Sequence, residues 1–254
     1  MKIAIITGAS SGLGSEFARQ LDRKLGHTDE IWLLARRKDA LEELSGSLRC
    51  KTRIIPIDLT DEKALRQFEE VLTISNPIIT VLVNCAGVGS HGVFSRQSRE
   101  NIDAMIKLNI LALTSMTRIC LPYMRKGSKI LQFSSGAAFV PQAAFAVYAA
   151  SKAYVYSLSR ALEQELKGRG ITVTAVCPGP VNTPFLAHAY GTDSPLHGLK
   201  KLTVMETGCV VTKAIQDCQR GKTVSVCGLP MKLLYLTTQS VQNIYQKVFH
   251  AGKK

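Results

Sequence analysis

Short apolar runs alternate with longer amphipathic stretches along this chain. The runs at 2–6, 30–34, 53–57, 79–83, 129–134, 171–176 and 223–226 read as strands buried on both faces. Between them, apolar positions recur at three- and four-residue spacing over 12–25, 38–47, 61–74, 98–125, 147–168 and 200–220, which predicts helices. Strands separated in this way by helices need parallel pairing and right-handed crossovers. The expected fold class is therefore α/β, a doubly wound Rossmann-type parallel sheet of about seven strands with helices on both faces. No internal repeat, low-complexity stretch or linker interrupts the pattern, so residues 1–254 are read as one domain.

Two segments break the alternation. Residues 182–200 hold Pro184, Pro195, Gly191 and Gly198, a composition that predicts a substrate lid loop rather than a regular element. In the tail, 229–254, Leu233, Leu234, Leu236, Val241, Ile244, Val248 and Phe249 recur at nearly helical spacing. A C-terminal helical tail that docks on the domain or on a second subunit fits this better than one on a membrane surface.

The apolar fraction of 46% and charged fraction of 20% suit a soluble globular chain, and no apolar run reaches bilayer-spanning length, so no integral membrane association is expected. The first strand begins at residue 2, without the basic segment and cleavage site of a signal peptide, which makes the cytoplasm the expected location. Seven cysteines form no CxxC pair, and Cys85, Cys120 and Cys177 lie in apolar runs, as reduced buried thiols do. Histidines 27, 91, 188, 197 and 250 have no metal-ligand spacing, so no metal is expected. The net charge of +13 comes from scattered Lys and Arg without interleaved aromatics. A basic surface favouring polyanionic cofactors fits that distribution better than nucleic-acid recognition, and no nucleic-acid partner is expected.

Candidate chemistry begins where the first strand ends. Gly8, Ser10, Ser11, Gly12, Leu13 and Gly14 form a glycine-rich turn leading into a helix, the arrangement that offers a pyrophosphate free N–H groups and a positive dipole end. The spacing is GxxxGxG, so the generic GxGxxG fingerprint is not met literally. That fingerprint also places an acid about 20 residues on, at the end of the second strand, to hold a ribose 2′-hydroxyl. Here Arg36 and Arg37 follow the strand instead. Guanidinium groups suit a 2′-phosphate, so NADP(H) is expected in preference to NAD(H).

In order, TGASSGLG (7–14), Asp58-Leu59, NCAG (84–87), Asn109, Ser134-Ser135, Tyr148-Ala149-Ala150-Ser151-Lys152 and Pro178 to Thr183 resemble the motifs of the short-chain dehydrogenase/reductase family, single-domain branch of about 250 residues. The resemblance extends to about residue 228. It implies that Asp58 and Leu59 meet the adenine, and that Asn84, Ala86 and Gly87 support the sheet and the cofactor. It further implies that Pro178, Gly179, Val181 and Thr183 line the nicotinamide and pyrophosphate. By the same resemblance Asn109 holds a water on the proton path, and Lys152, beside Tyr148, also holds the nicotinamide ribose. Cys85 departs from the usual NNAG, and GKTVSVCGLP (221–230) departs from the usual ending, which leaves the subunit contacts there open. A homodimer or homotetramer is what the family's habits imply.

The catalytic candidates are Ser135, Tyr148, Lys152 and Asn109. Ser135 falls at the carboxyl end of strand five, where open α/β sheets bind ligands, and Tyr148 and Lys152 are i and i+4 on one helix face. A tyrosine can give a proton to a developing alkoxide, a lysine ammonium one turn away is expected to lower its pKa, and Ser135 can donate a hydrogen bond to the same oxygen. Ser134 is the rival to Ser135. Tyr154 and Tyr156 read as packing residues. Phe139, Ala143, Ala144, Phe145, Phe185 and Leu186 could form an apolar pocket, which favours a hydrophobic carbonyl/alcohol substrate. The expected function is NADP(H)-dependent interconversion of a ketone or aldehyde and an alcohol. The alternative is a non-catalytic NADP-binding sensor or scaffold.

Overall fold

The computed structural model of the chain describes residues 1–24, 28–190 and 204–238. Seven strands form one parallel sheet in the order β3-β2-β1-β4-β5-β6-β7. They are β1 (Lys2–Thr7), β2 (Glu30–Ala35), β3 (Lys51–Pro56), β4 (Ile78–Asn84), β5 (Met124–Phe133), β6 (Thr172–Val176) and β7 (Val224–Ser225). The order reverses between β1 and β4, and a crevice opens at the carboxyl ends of these neighbours, where such sheets take ligands.

The continuous apolar runs have a direct cause. Ile3 and Ile5 of β1 point into one core cluster with Trp32, Leu34, Phe68, Leu72 and Met116. Ala4 and Ile6 point into the other, with Phe17, Leu21, Leu33, Leu41 and Val211. Successive side chains of a strand alternate faces, so a strand covered on both sides must be apolar at every position. Trp32, Phe17 and Phe68 are among the largest fully buried side chains, each contributing about 1.5–3 kcal/mol of transfer free energy.

Helices α1 (Gly12–Lys24), α2 (Lys38–Gly46), α3 (Glu62–Ser75), α4 (Arg99–Ile106), α5 (Leu113–Cys120), α6 (Ala146–Leu166), α7 (Pro184–Tyr190) and α8 (Thr207–Gln219) surround the sheet, and a ninth, α9 (229–238), closes the described chain. Between α4 and α5 a π-helical turn, Lys107–Ala112, widens the helix around Asn109. The stretch Arg99–Tyr123 is long and apolar enough by composition to cross a membrane. Its inward face, with Met105, Asn109, Ala112, Leu113, Met116 and Cys120 buried, identifies it as a core helix.

Three expectations need correction. The helix expected over 98–125 ends at Cys120, because Pro122 has no N–H to donate and starts a 3-10 turn, Leu121–Tyr123, that feeds β5. The lid expected over 182–200 begins with a helix, α7, instead of a loop. Pro184 sits at its first position, where a missing N–H costs nothing. Residues 191–200 of that expectation, and 239–254 of the tail, lie outside the described residues, as do the start of the helix expected at 200–220, His27, His197 and His250. Finally, Tyr154 is exposed, its hydroxyl 3.1 Å from Thr114 Oγ1, whereas Tyr156 packs edge-on against Phe139 as expected.

Candidate active site

A cavity of about 750 Å³ lies over the carboxyl ends of β1, β2, β4, β5 and β6. Its nucleotide side is built first by the turn after β1. Gly8 adopts φ +67°, and a Cβ there would lie 2.9 Å from Ala86, while a Cβ at Gly14 would run into the Gly8 carbonyl oxygen. Both positions therefore need glycine to keep the turn tight and helix and strand close. Ser10, Ser11, Gly12, Leu13 and Gly14 line the cavity at the amino end of α1, where the first amides of a helix lack intrahelical acceptors and no acid stands in the first turn.

Thr7, quoted in TGASSGLG but given no role in the sequence, ties this turn to the next one. Its Oγ1 accepts from the amides of Cys85 (3.0 Å) and Ala86 (3.1 Å). Across the cavity rim, Arg36, Arg37, Asp58 and Leu59 stand together. Arg37 donates to the Ser10 carbonyl at 3.0 Å, which pins it across the phosphate turn. Hydrogen bonds from the Thr60 amide and hydroxyl, and the Arg36 charge, hold the Asp58 carboxyl below its usual range.

The other side of the cavity is set by β5 and α6. Ser135, Tyr148 and Lys152 all line it. Ser135 follows β5 in extended conformation, and its Oγ accepts from the Ala137 amide at 3.1 Å. Ser134, the rival, is turned away and donates to the Lys152 carbonyl at 2.7 Å. Lys152 is buried, its Nζ 2.8 Å from the Phe133 carbonyl oxygen and 5.7 Å from the Tyr148 ring centroid. Burial drives the Lys152 ammonium down to about 8. Burial also pushes the Tyr148 phenol well above the usual tyrosine range, and the nearby Ser135 hydroxyl opposes this without reversing it. The expected lowering of the Tyr148 pKa by Lys152 is thus not what this geometry produces. Desolvation of a 7%-exposed phenol outweighs an ammonium whose hydrogen bond goes to a carbonyl.

Asn84 and Asn109 stand behind the cavity wall. The Asn84 amide bonds to Thr117 and Gln132, bracing β4 against β5. Asn109 is fully buried, its Oδ1 accepting from the Val88 amide at 2.9 Å and its Nδ2 donating to the Val88 carbonyl and Ser151 Oγ. The π turn places that amide where both atoms meet the strand-four turn. Pro178, Gly179, Val181 and Thr183 line the cavity between β6 and α7.

The cavity wall around Tyr148 is aromatic. Phe145 stacks on Tyr148 with centroids 4.3 Å apart, Phe185 lies 5.5 Å from the Tyr148 ring, and Tyr190 lies 5.5 Å from Phe145. Leu186 joins the wall, whereas Phe139 packs outside it against Tyr156 and Tyr235, and Ala143 and Ala144 do not line it. Gly89 fits under this cluster without side chain, since a Cβ would sit 2.7 Å from Phe185 and 3.2 Å from Tyr148. Met231 and Leu234 of α9 complete the lining. Gly89, Tyr190 and Met231 were not singled out in the sequence, and Leu234 only as part of the apolar tail, because nothing local to them marks a site. Among the described residues no group of three or more His, Cys, Asp or Glu could hold a metal ion.

Known proteins resemble this chain in sequence and fold. Ketoacyl reductase HetN from Nostoc sp. is 30% identical over 231 residues, 89% of this chain and 77% of that one. A short-chain dehydrogenase from Sphingobium yanoikuyae, solved in complex with NADPH, superposes with a TM-score of 0.82 at 30% identity, covering 97% of this chain and 96% of that one. The bulky-bulky ketone specific alcohol dehydrogenase from Comamonas testosteroni gives a TM-score of 0.77 at 27% identity, with 97% and 94% coverage. The sequence model of the short chain dehydrogenase family matches residues 2–193, and on that match the chain belongs to this family of NAD(P)-binding oxidoreductases.

Proposed function

We propose that the protein interconverts an apolar ketone or aldehyde and its alcohol with NADP(H), using Tyr148 as general acid and base. The observation that carries this is the placement of Ser135, Tyr148 and Lys152 in one cavity with the glycine-rich turn. The residues present fit the cofactor, since two glycines that tolerate no Cβ keep the phosphate turn tight and Arg36 at the cavity rim offers a guanidinium suited to a 2′-phosphate. When bound, NADP(H) supplies or accepts the hydride.

The chain's own groups handle the proton. Tyr148, kept protonated by burial, gives its phenolic proton to the carbonyl oxygen in reduction and takes it back in oxidation. Ser135 donates a hydrogen bond to the same oxygen, so charge develops against a fixed donor. Lys152 adds positive charge beneath the Tyr148 ring and favours the tyrosinate left after transfer. The aromatic wall excludes water and favours apolar substrates, in keeping with the ketone specificity and ketoacyl reduction named for the relatives. A sensor or scaffold would make no use of a serine, a tyrosine and a lysine gathered in one cavity.

NADPH oxidation measured over a panel of ketones and aldehydes tests the assignment. Turnover is expected to rise from short polar carbonyls to bulky apolar ones, and no turnover on any of them would refute it. The pH dependence follows from the two shifts. Tyr148 lies too high to titrate near neutrality, whereas Lys152 loses its proton near 8, so it is charged below that value and neutral above it. The kcat/KM for reduction should therefore be flat below and fall as pH rises through about 8; a rate still flat at about pH 10 contradicts the role of Lys152.

We further propose a homo-oligomer with closed symmetry, formed through the α4–α5 and α6 surfaces, where Ile106, Leu111 and Tyr154 are exposed. Light scattering at micromolar protein should give twice or four times the chain mass. A monomer would end this idea.

A further inference from the structure

Gly136, the residue after Ser135, lacks a side chain for a reason that lies in the tail. Its backbone stays outside the left-handed region, so conformation does not call for glycine. Space does. A Cβ there would stand 2.6 Å from Met231 Sδ and 3.3 Å from the Pro178 carbonyl oxygen, to which the Gly136 amide donates at 2.7 Å. The Met231 thioether therefore fills the volume beside Ser135 that a side chain at 136 would take, and Met231 also lines the cavity.

The inner face of α9 is anchored in the fold. Met231 and Tyr235, one turn apart, pack into a cluster with Phe139, Tyr156, Cys177 and Val226, and the Tyr235 ring lies 5.3 Å from Phe139. Leu234, three residues after Met231 and on the same face, lines the cavity beside it. The cavity thus has two apolar walls of different make. One is aromatic, with Phe145 and Phe185 against the Tyr148 ring. The other is aliphatic, with Met231 set on the 3-10 turn that follows Ser135. A carbonyl oxygen held by Ser135 and Tyr148 leaves two diverging substituents on its carbon, one for each wall. Rigid rings suit a flat group, whereas an unbranched thioether with three rotatable bonds adapts to a flexible alkyl chain.

Resting on the carbonyl chemistry proposed above, we propose that the substrate is a ketone with an apolar group on each side of the carbonyl, and that Met231 sets how long the group facing α9 can be. Addition of a hydride to the carbon and a proton to the oxygen turns such a ketone into a secondary alcohol and leaves NADP+. An aldehyde would leave the α9 wall uncovered.

The test is steady-state reduction of phenyl alkyl ketones, from methyl to hexyl, by the parent, Met231→Ala and Met231→Phe, with NADPH titration of each protein. Intrinsic carbonyl reactivity changes little along this series beyond ethyl, so its profile reads the pocket. For the parent, kcat/KM should climb by about fourfold per methylene, the worth of burying one, until the chain reaches Met231. Met231→Ala should move the optimum to a chain longer by at least about two carbons. Met231→Phe should lower the ratio of kcat/KM for the pentyl ketone to that for the methyl ketone by at least about tenfold. Shifts in opposite directions, with NADPH still bound, are not what a loosened helix produces. Should Met231→Phe fail to bind NADPH, the shift in Met231→Ala decides alone. A parent profile that is flat in chain length, or one that Met231→Ala leaves unmoved, overturns this proposal and leaves carbonyl reduction standing. No turnover of any ketone by the parent overturns both.

Discussion

Tyr148→Phe is expected to lower the rate of carbonyl reduction by at least about a hundredfold while leaving folding and NADPH affinity close to those of the parent. The reasons lie in the packing. The ring keeps its 4.3 Å stack on Phe145 and its contact with Phe185, because only the hydroxyl is removed. Ser135 still accepts from the Ala137 amide, so its hydroxyl is not orphaned. What disappears is the phenolic proton that Tyr148 brings to the cavity shared with Ser135. Ser135→Ala should lower turnover too, without changing cofactor titration, because it lies across the cavity from the phosphate turn. Steady-state rates and cofactor titration of the two variants score these outcomes separately. Wild-type turnover by Tyr148→Phe would place the proton donor elsewhere.

The sheet was legible because both of its faces are covered. A strand such as Ile3-Ala4-Ile5-Ile6 has no solvent face to show polar residues, so it reads as an unbroken apolar run with little ambiguity. Periodicity was less informative wherever hydrogen bonding, and not burial, decides the backbone. The π turn at Lys107–Ala112 leaves apolar spacing nearly unchanged, and the amide of Asn109 that it serves is visible only in three dimensions. Helix α7 was hidden by Pro184 and by the glycines further on, since the same residues that start a helix also mark a loop.

For the site, the split is similar. The phosphate turn and the Ser135, Tyr148 and Lys152 set are each local in sequence, so their spacing could be read. The aromatic wall is assembled from Phe145, Phe185 and Tyr190, and the tail contributes Met231 and Leu234 from more than 75 residues beyond the start of α6 at Ala146. Contacts at that separation leave no periodic trace. The electrostatics were also out of reach, because the opposing shifts of Tyr148 and Lys152 come from burial, which spacing does not report.

Cofactor preference rests on the two arginines after β2, and the structure gives them different work. Arg37 is committed to the Ser10 carbonyl and approaches the Ser10 hydroxyl at 3.4 Å, so it braces the phosphate turn. Arg36 stands exposed at the cavity rim, close enough to lower the Asp58 pKa, and is the guanidinium free to meet a 2′-phosphate. Arg36→Ala should therefore weaken NADPH binding by about 1.5–3 kcal/mol, the worth of a hydrogen bond between charged groups, and leave NADH binding nearly unchanged. Arg37→Ala should weaken both, because loosening the turn disturbs a pyrophosphate site common to the two cofactors. Fluorescence titration of each variant with NADPH and NADH separates the roles. If Arg36→Ala loses the two cofactors equally, the residue serves the turn or the adenine side in general, and the preference for NADP(H) has no basis at this position.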